Sequence, residues 1–223
     1  MTRPTASRSS FLRTWLIWTA GFLAFPIAGF AGTAVAGRVD SPVAALLGGA
    51  VTGLVIGAGQ ALASWRQLDP RRWIPATTIG MGLGLLLGAW MVGYRTSLAD
   101  LALMGALTGL VLGVVQAVAL PRRTRLRWVW AAALPPLWAL GWTVTTLAGI
   151  TVDEQFTIFG ATGAVTFSAL SGLFLHRILP RCPRQVQPRL GRHGPTRPGS
   201  TPDTALLGHP TVHDLELRAH TVV

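Results

Sequence analysis

Six stretches of about twenty residues run almost without charge, at 15–36, 43–65, 73–94, 99–120, 128–150 and 156–179. At about 1.5 Å of rise per residue, ~20 helical residues cover the ~30 Å hydrocarbon layer of a bilayer. Asp100 stands at the rim of the fourth stretch and Arg177 at the exit of the sixth. Half of the residues are hydrophobic and only 12% are charged, so too little polar sequence remains to surface a soluble core of comparable size. The fold expected is an all-α bundle of six transmembrane helices.

The stretches are not independent of one another. GAVTGLVIGAGQA, from Gly49 to Ala61, returns 56 positions later as GALTGLVLGVVQA, from Gly105 to Ala117. An internal repeat decides architecture before any single helix does. The period extends to a third, degraded copy, since Gly49, Gly105 and Gly160 keep the spacing, as do the exit arginines Arg66, Arg122 and Arg177. Between these anchors small side chains recur every fourth residue: Gly49, Gly53 and Gly57; Gly105, Gly109 and Gly113; Gly160, Ala164, Ser168 and Gly172. The stretches before them carry tryptophan near their starts, namely Trp15 and Trp18, Trp73, and Trp128 and Trp130.

The unit is therefore a two-helix hairpin used three times, over 11–66, 71–122 and 127–179. A unit with an even number of crossings keeps every copy in the same orientation. The copies are then parallel and related by a pseudo-threefold axis along the membrane normal. Small residues at every fourth position let helix backbones approach closely in lipid. The second, fourth and sixth helices are expected to pack on one another near that axis, with the tryptophans in the cytoplasmic interfacial belt. Pro26 and the pair Pro135 and Pro136 should kink the first and fifth helices.

Arginines set the orientation, because basic residues flanking short loops stay on the cytoplasmic side. Arg3, Arg8 and Arg13 precede the first helix, Arg66, Arg71 and Arg72 follow the second, and Arg122, Arg123, Arg125 and Arg127 follow the fourth. The alternate loops hold Arg38 and Arg95 but also Asp40, Asp100, Asp153 and Glu154. Both termini are expected in the cytoplasm, including the N-terminal segment 1–10. The net charge of +11 is then mainly a topology signal and not a nucleic-acid patch. Arg122, Arg123, Arg125 and Arg127 also form a contact candidate for anionic lipid headgroups. Ala34, Val35 and Ala36 match a signal-peptidase site, but the apolar run before them is longer than the ~7–15 residues of a signal core, so retention of the first helix is expected.

Gln60 and Gln116 are the strongest polar groups within the spans, six residues before their exit arginines, and Ser171 takes their place in the third copy. They can line a solute path or tie helices together, a tie contributing on the order of 1 kcal/mol. No ionisable side chain lies at depth, which speaks against ion-coupled transport. Asp40, Asp100 and Asp153 recur once per outer loop as a candidate external ring. Ser171 and His176 share one helix five residues apart, about 140° around and ~7.5 Å along, a poor geometry for a nucleophile and its base. No metal or nucleotide motif is present, and no cofactor is expected. Cys182 is the only cysteine and excludes an internal disulfide. Residues 180–223 turn to Pro, Arg and His and read as a disordered cytoplasmic tail, in which His209 and His213 lack a third convergent ligand.

The pattern G-A-x-x-G-L-x-x-G-x-x-Q followed by a basic turn and a tryptophan, as in Gly105 to Gln116 and then Arg122 to Trp128, resembles uncharacterised bacterial polytopic membrane proteins built from such hairpins. The resemblance implies the bacterial cytoplasmic (inner) membrane and no activity. Two classes of function stay open. One is a non-catalytic scaffold or partner-binding membrane subunit, contacting a protein partner or a second copy of itself. The other is a passive or auxiliary-driven transporter of a small neutral or lipid-like solute, with Gln60, Gln116 and Ser171 on its path. An intramembrane enzyme fits the residues poorly.

Overall fold

The computed structural model describes residues 6–64, 67–122, 124, 126–150 and 157–178. Every regular element among them is helical: α1 (Ala6–Ala20), a 3-10 turn (Gly21–Leu23), α2 (Ala24–Ala36), α3 (Pro42–Ala63), α4 (Pro70–Met91), α5 (Leu98–Ala119), α6 (Arg127–Leu147) and α7 (Ala161–Ile178). Local chemistry sets the starts. Ser41 accepts from the Ala44 backbone N–H and is followed by Pro42, whose fixed φ suits the first helical position. Asp69 followed by Pro70 does the same for α4. Ser97 accepts from the Asp100 N–H and donates to the Asp100 carboxylate at 2.6 Å, which also meets Arg95 at 3.1 Å. Gly37, with φ at 68°, ends α2 in a conformation that a side chain would strain.

Four segments are long and apolar enough to cross a membrane: Phe11–Ala36, Pro42–Ala63, Pro70–Met91 and Leu98–Ala119. The expectation was six. Tryptophan, proline and threonine dilute the apolar character of α6, and among the described residues the apolar part of α7 is Ala161–Leu175, so neither meets that measure of length and composition. The last helix starts later than expected because Thr157, Ile158 and Phe159 leave helical geometry and turn into the protein, where all three are buried.

Among the described residues each helix packs on its neighbour in sequence, α2 on α3, α3 on α4, α4 on α5, α5 on α6 and α6 on α7, and α7 returns to α1. The contacts close into a cycle. The expected mutual packing of the second, fourth and sixth helices does not occur, since α3, α5 and α7 make no contact with one another. Their small-residue stripes face sideways. A side chain at Gly49 or Gly53 would strike Met81 of α4, and one at Gly57 would press on Thr77 and Ile74. In α5, Gly105 lies against Trp138 and Trp142, Gly109 against Leu134 and Pro135, and Gly113 against the Ala131 carbonyl of α6. That carbonyl is the one Pro135 leaves without its helical donor. In α7, Gly172 lies against Trp15 and Trp18 of α1. A second set in α4, Gly80, Gly84 and Gly88, seats Leu112, Thr108 and Met104 of α5.

The reason is steric. Lipid gives helices no hydrophobic incentive to associate, so the closest backbone approach wins, and the bulkiest neighbours gain most from a glycine groove. The interior is filled by one apolar cluster that includes Phe25, Met81, Leu112, Leu134, Trp138, Phe159 and Phe167. Within it the Phe159 ring lies 5.1 Å from the Trp138 ring, 5.4 Å from Phe25 and 5.9 Å from Phe167.

Candidate functional site

Gln60, Gln116 and Ser171 are all buried, and each accepts a hydrogen bond from a tryptophan. Trp73 Nε1 donates to Gln60 Oε1 at 3.0 Å, Trp130 Nε1 to Gln116 Oε1 at 3.0 Å, and Trp18 Nε1 to Ser171 Oγ at 3.1 Å. Trp73 and Trp130 stand in the first turns of α4 and α6 and Trp18 near the C-terminal end of α1, while the acceptors stand in the C-terminal halves of α3, α5 and α7. Each bond therefore ties a helix to a neighbour it packs against. Trp15 Nε1 adds a fourth bond, to the Ala169 carbonyl at 2.9 Å.

Gln116 uses both ends of its amide. Its Nε2 donates to Thr77 Oγ1 at 2.9 Å, and Thr77 in turn donates to the Trp73 carbonyl. A polar belt thus runs from Trp130 through Gln116 and Thr77 to Trp73 and Gln60, crossing α6, α5, α4 and α3. Ser171 Oγ donates to the Ser168 carbonyl, one turn back. A buried amide left unpaired would cost several times what a satisfied one contributes, so the belt is a requirement once the glutamines lie inside.

Trp18, Trp73 and Trp130 are accordingly not in an interfacial belt but turned inward and buried. Sequence reasoning placed them by residue type and missed the signal of register, since Trp73 follows Gln60 by 13 residues and Trp130 follows Gln116 by 14. Trp128 does lie at the surface, with the Arg127 guanidinium 5.6 Å from its ring centre. Thr77 was also missed. Nothing in its own segment distinguishes it, and only the packing of α4 on α5 brings it to Gln116.

No protein-family model, curated protein or solved structure matches this chain. The site must be read from its own geometry.

The remaining candidates are scattered. Gly160 donates its N–H to Thr145 Oγ1 at 3.1 Å, while Ala164 and Ser168 are buried. Arg122 is exposed, and Arg123 and Arg125 lie outside the described residues. Asp100 is engaged by Ser97 and Arg95, Asp40 is exposed, and Asp153 lies outside the described residues. So do the His176 side chain, Cys182, His209, His213 and the tail. Among the described residues no three potential metal ligands come together.

Two other features stand out. Thr52 of α3 donates to Thr157 Oγ1 at 2.8 Å, tying the buried segment before α7 to α3. Beside that segment, between α2, α6 and the start of α7, lies an apolar cavity of about 380 Å³.

Proposed function

We propose that this protein is a non-catalytic membrane scaffold or partner-binding subunit, in which three two-helix hairpins close into a ring of six spans with pseudo-threefold order. The observation that carries the reading is the fate of Gln60, Gln116 and Ser171. Each is spent on a bond to the tryptophan that begins the following hairpin, and the third bond wraps from the last hairpin to the first. The donors recur at spacings of 55 and 57 residues and the acceptors at 56 and 55, which supports three copies of one unit. The aromatic filling around Phe159 supports a dry interior. The arginine distribution supports cytoplasmic termini in the inner membrane of a bacterium. Lipid surrounds the ring, and anionic headgroups are the partners suited to the arginines near α6.

The test is the permeability of proteoliposomes to water and glycerol, followed by light scattering after an osmotic step. Vesicles containing the protein should shrink and swell like protein-free vesicles. A permeability increase that disappears in Gln60→Leu or Gln116→Leu, with the bundle intact, would put the glutamines on a solute path and establish the transporter reading instead.

A further inference from the structure

The bend in the first span opens a cavity on one side of the bundle. Pro26 cannot donate to the carbonyl of Phe22, and the helix passes through a 3-10 turn at Gly21–Leu23. Before the turn α1 packs along α7; after it α2 leans on α3 and barely touches α7. The late start of α7 at Ala161 widens the gap. The result is the 380 Å³ cavity walled by Phe25, Gly29, Trp142, Ile158 and Phe159, within the ~300–1,000 Å³ of small-molecule sites. Pro26, Phe30 and Ala161 form its exposed rim, so it opens on the outer surface of the helices and not toward their interior.

One end of the cavity differs chemically from the rest. Thr33 contributes a hydroxyl that is shielded from solvent and has no hydrogen-bond partner. Thr145, the other threonine in the wall, is satisfied by the Gly141 carbonyl and the Gly160 N–H. A shielded hydroxyl without a partner is unfavourable, and a ligand with an acceptor within its reach would relieve it. From Phe25 to Thr33 is about 12 Å along α2, close to the ~15 Å of one leaflet's hydrocarbon, with Thr33 near the outer end of the span.

We infer that this cavity holds one acyl chain of an outer-leaflet glycerophospholipid, and that Thr33 turns about χ1 to bring its hydroxyl from its shielded position to the ester carbonyl of that chain, to which it donates. The apolar wall takes the methylenes, the rim admits the chain sideways from the bilayer, and the Thr33 hydroxyl sits at ester depth. The inference rests on the proposed placement of the bundle in the membrane and is independent of any partner or transported solute.

The experiment uses the full chain in nanodiscs containing phosphatidylglycerol with a diazirine in its acyl chain, and maps photo-adducts by mass spectrometry. Adducts should concentrate on Gly29, Phe30 and Ile158, several-fold above the lipid-facing Leu54 and Leu110. Ala161→Trp, at the rim, should lower them to the level of Leu54. Thr33→Val tests the ester bond without closing the cavity. It should weaken protection of the cavity by unlabelled ester lipid about fivefold, and should abolish the wild-type preference for ester over ether lipid. Adducts on Leu54 and Leu110 with no excess in the cavity would overturn the inference and leave the membrane placement standing. Adducts on neither would overturn both. Equal labelling by a free fatty acid carrying the same diazirine would overturn the choice of a glycerophospholipid.

Discussion

The Trp18 indole nitrogen donates to the Ser171 hydroxyl at 3.1 Å, joining the first helix to the last across 153 residues of chain. It does for the chain ends what Trp73 and Trp130 do for sequence neighbours. A linear row of helices becomes a closed set of contacts, and the first helix becomes part of the core.

Trp18, Phe25 and Ala28 are all buried, and Thr52 reaches the Ala28 carbonyl. Removal at Ala36 by a signal peptidase would strip these contacts from α3 and α7. Protein extracted from membranes should therefore have an intact mass that includes residues 1–36. A mass shorter by that segment would show that the bundle is assembled without it.

Gly109 approaches α6 so closely that an added Cβ would stand 2.6 Å from the Leu134 carbonyl oxygen and 2.9 Å from Pro135 Cα, both backbone atoms that cannot rotate away. Gly109→Leu should cost at least the ~1–3 kcal/mol of an overpacked core and abolish a folded monodisperse peak in detergent. Leu110→Ala, at the adjacent exposed position, should stay within about 0.5 kcal/mol of the parent protein. Thermal unfolding of the two variants side by side checks the contrast.

Gln67 and Asp40 are exposed in connections at opposite ends of α3. In a Cys182→Ser background, Asp40→Cys should react with a membrane-impermeant maleimide on intact spheroplasts, and Gln67→Cys only after lysis. The reverse pattern would invert the orientation read from the arginines.

All-helical structure was legible in the sequence because charge-free runs of spanning length leave the backbone no other way to satisfy itself in lipid. The glycine stripes were legible as packing surfaces, but not their partners. Spacing says which residues share a face, and only the steric match of Gly105, Gly109 and Gly113 to Trp142, Trp138 and Leu134 selects α6 over α3 or α7. The start of α7 was misplaced because Thr157, Ile158 and Phe159 are as apolar as a helix, and their departure from it depends on a pocket built by α2, α3 and α6. Gln60 and Gln116 stood out by type. Their donors did not, since an indole near a span end reads equally well as an interfacial anchor.

The glutamines decide whether the bundle is tied or perforated, and a double-mutant cycle on Trp130 and Gln116 addresses that choice most directly. Unfolding free energies of the parent, Trp130→Phe, Gln116→Leu and the double variant in the same detergent give the coupling between the two side chains. A tie at 3.0 Å between buried partners predicts non-additive losses, with a coupling of about 1 kcal/mol. Strictly additive losses would contradict the account, because they would mean that Gln116 contributes to stability without regard to the indole it faces.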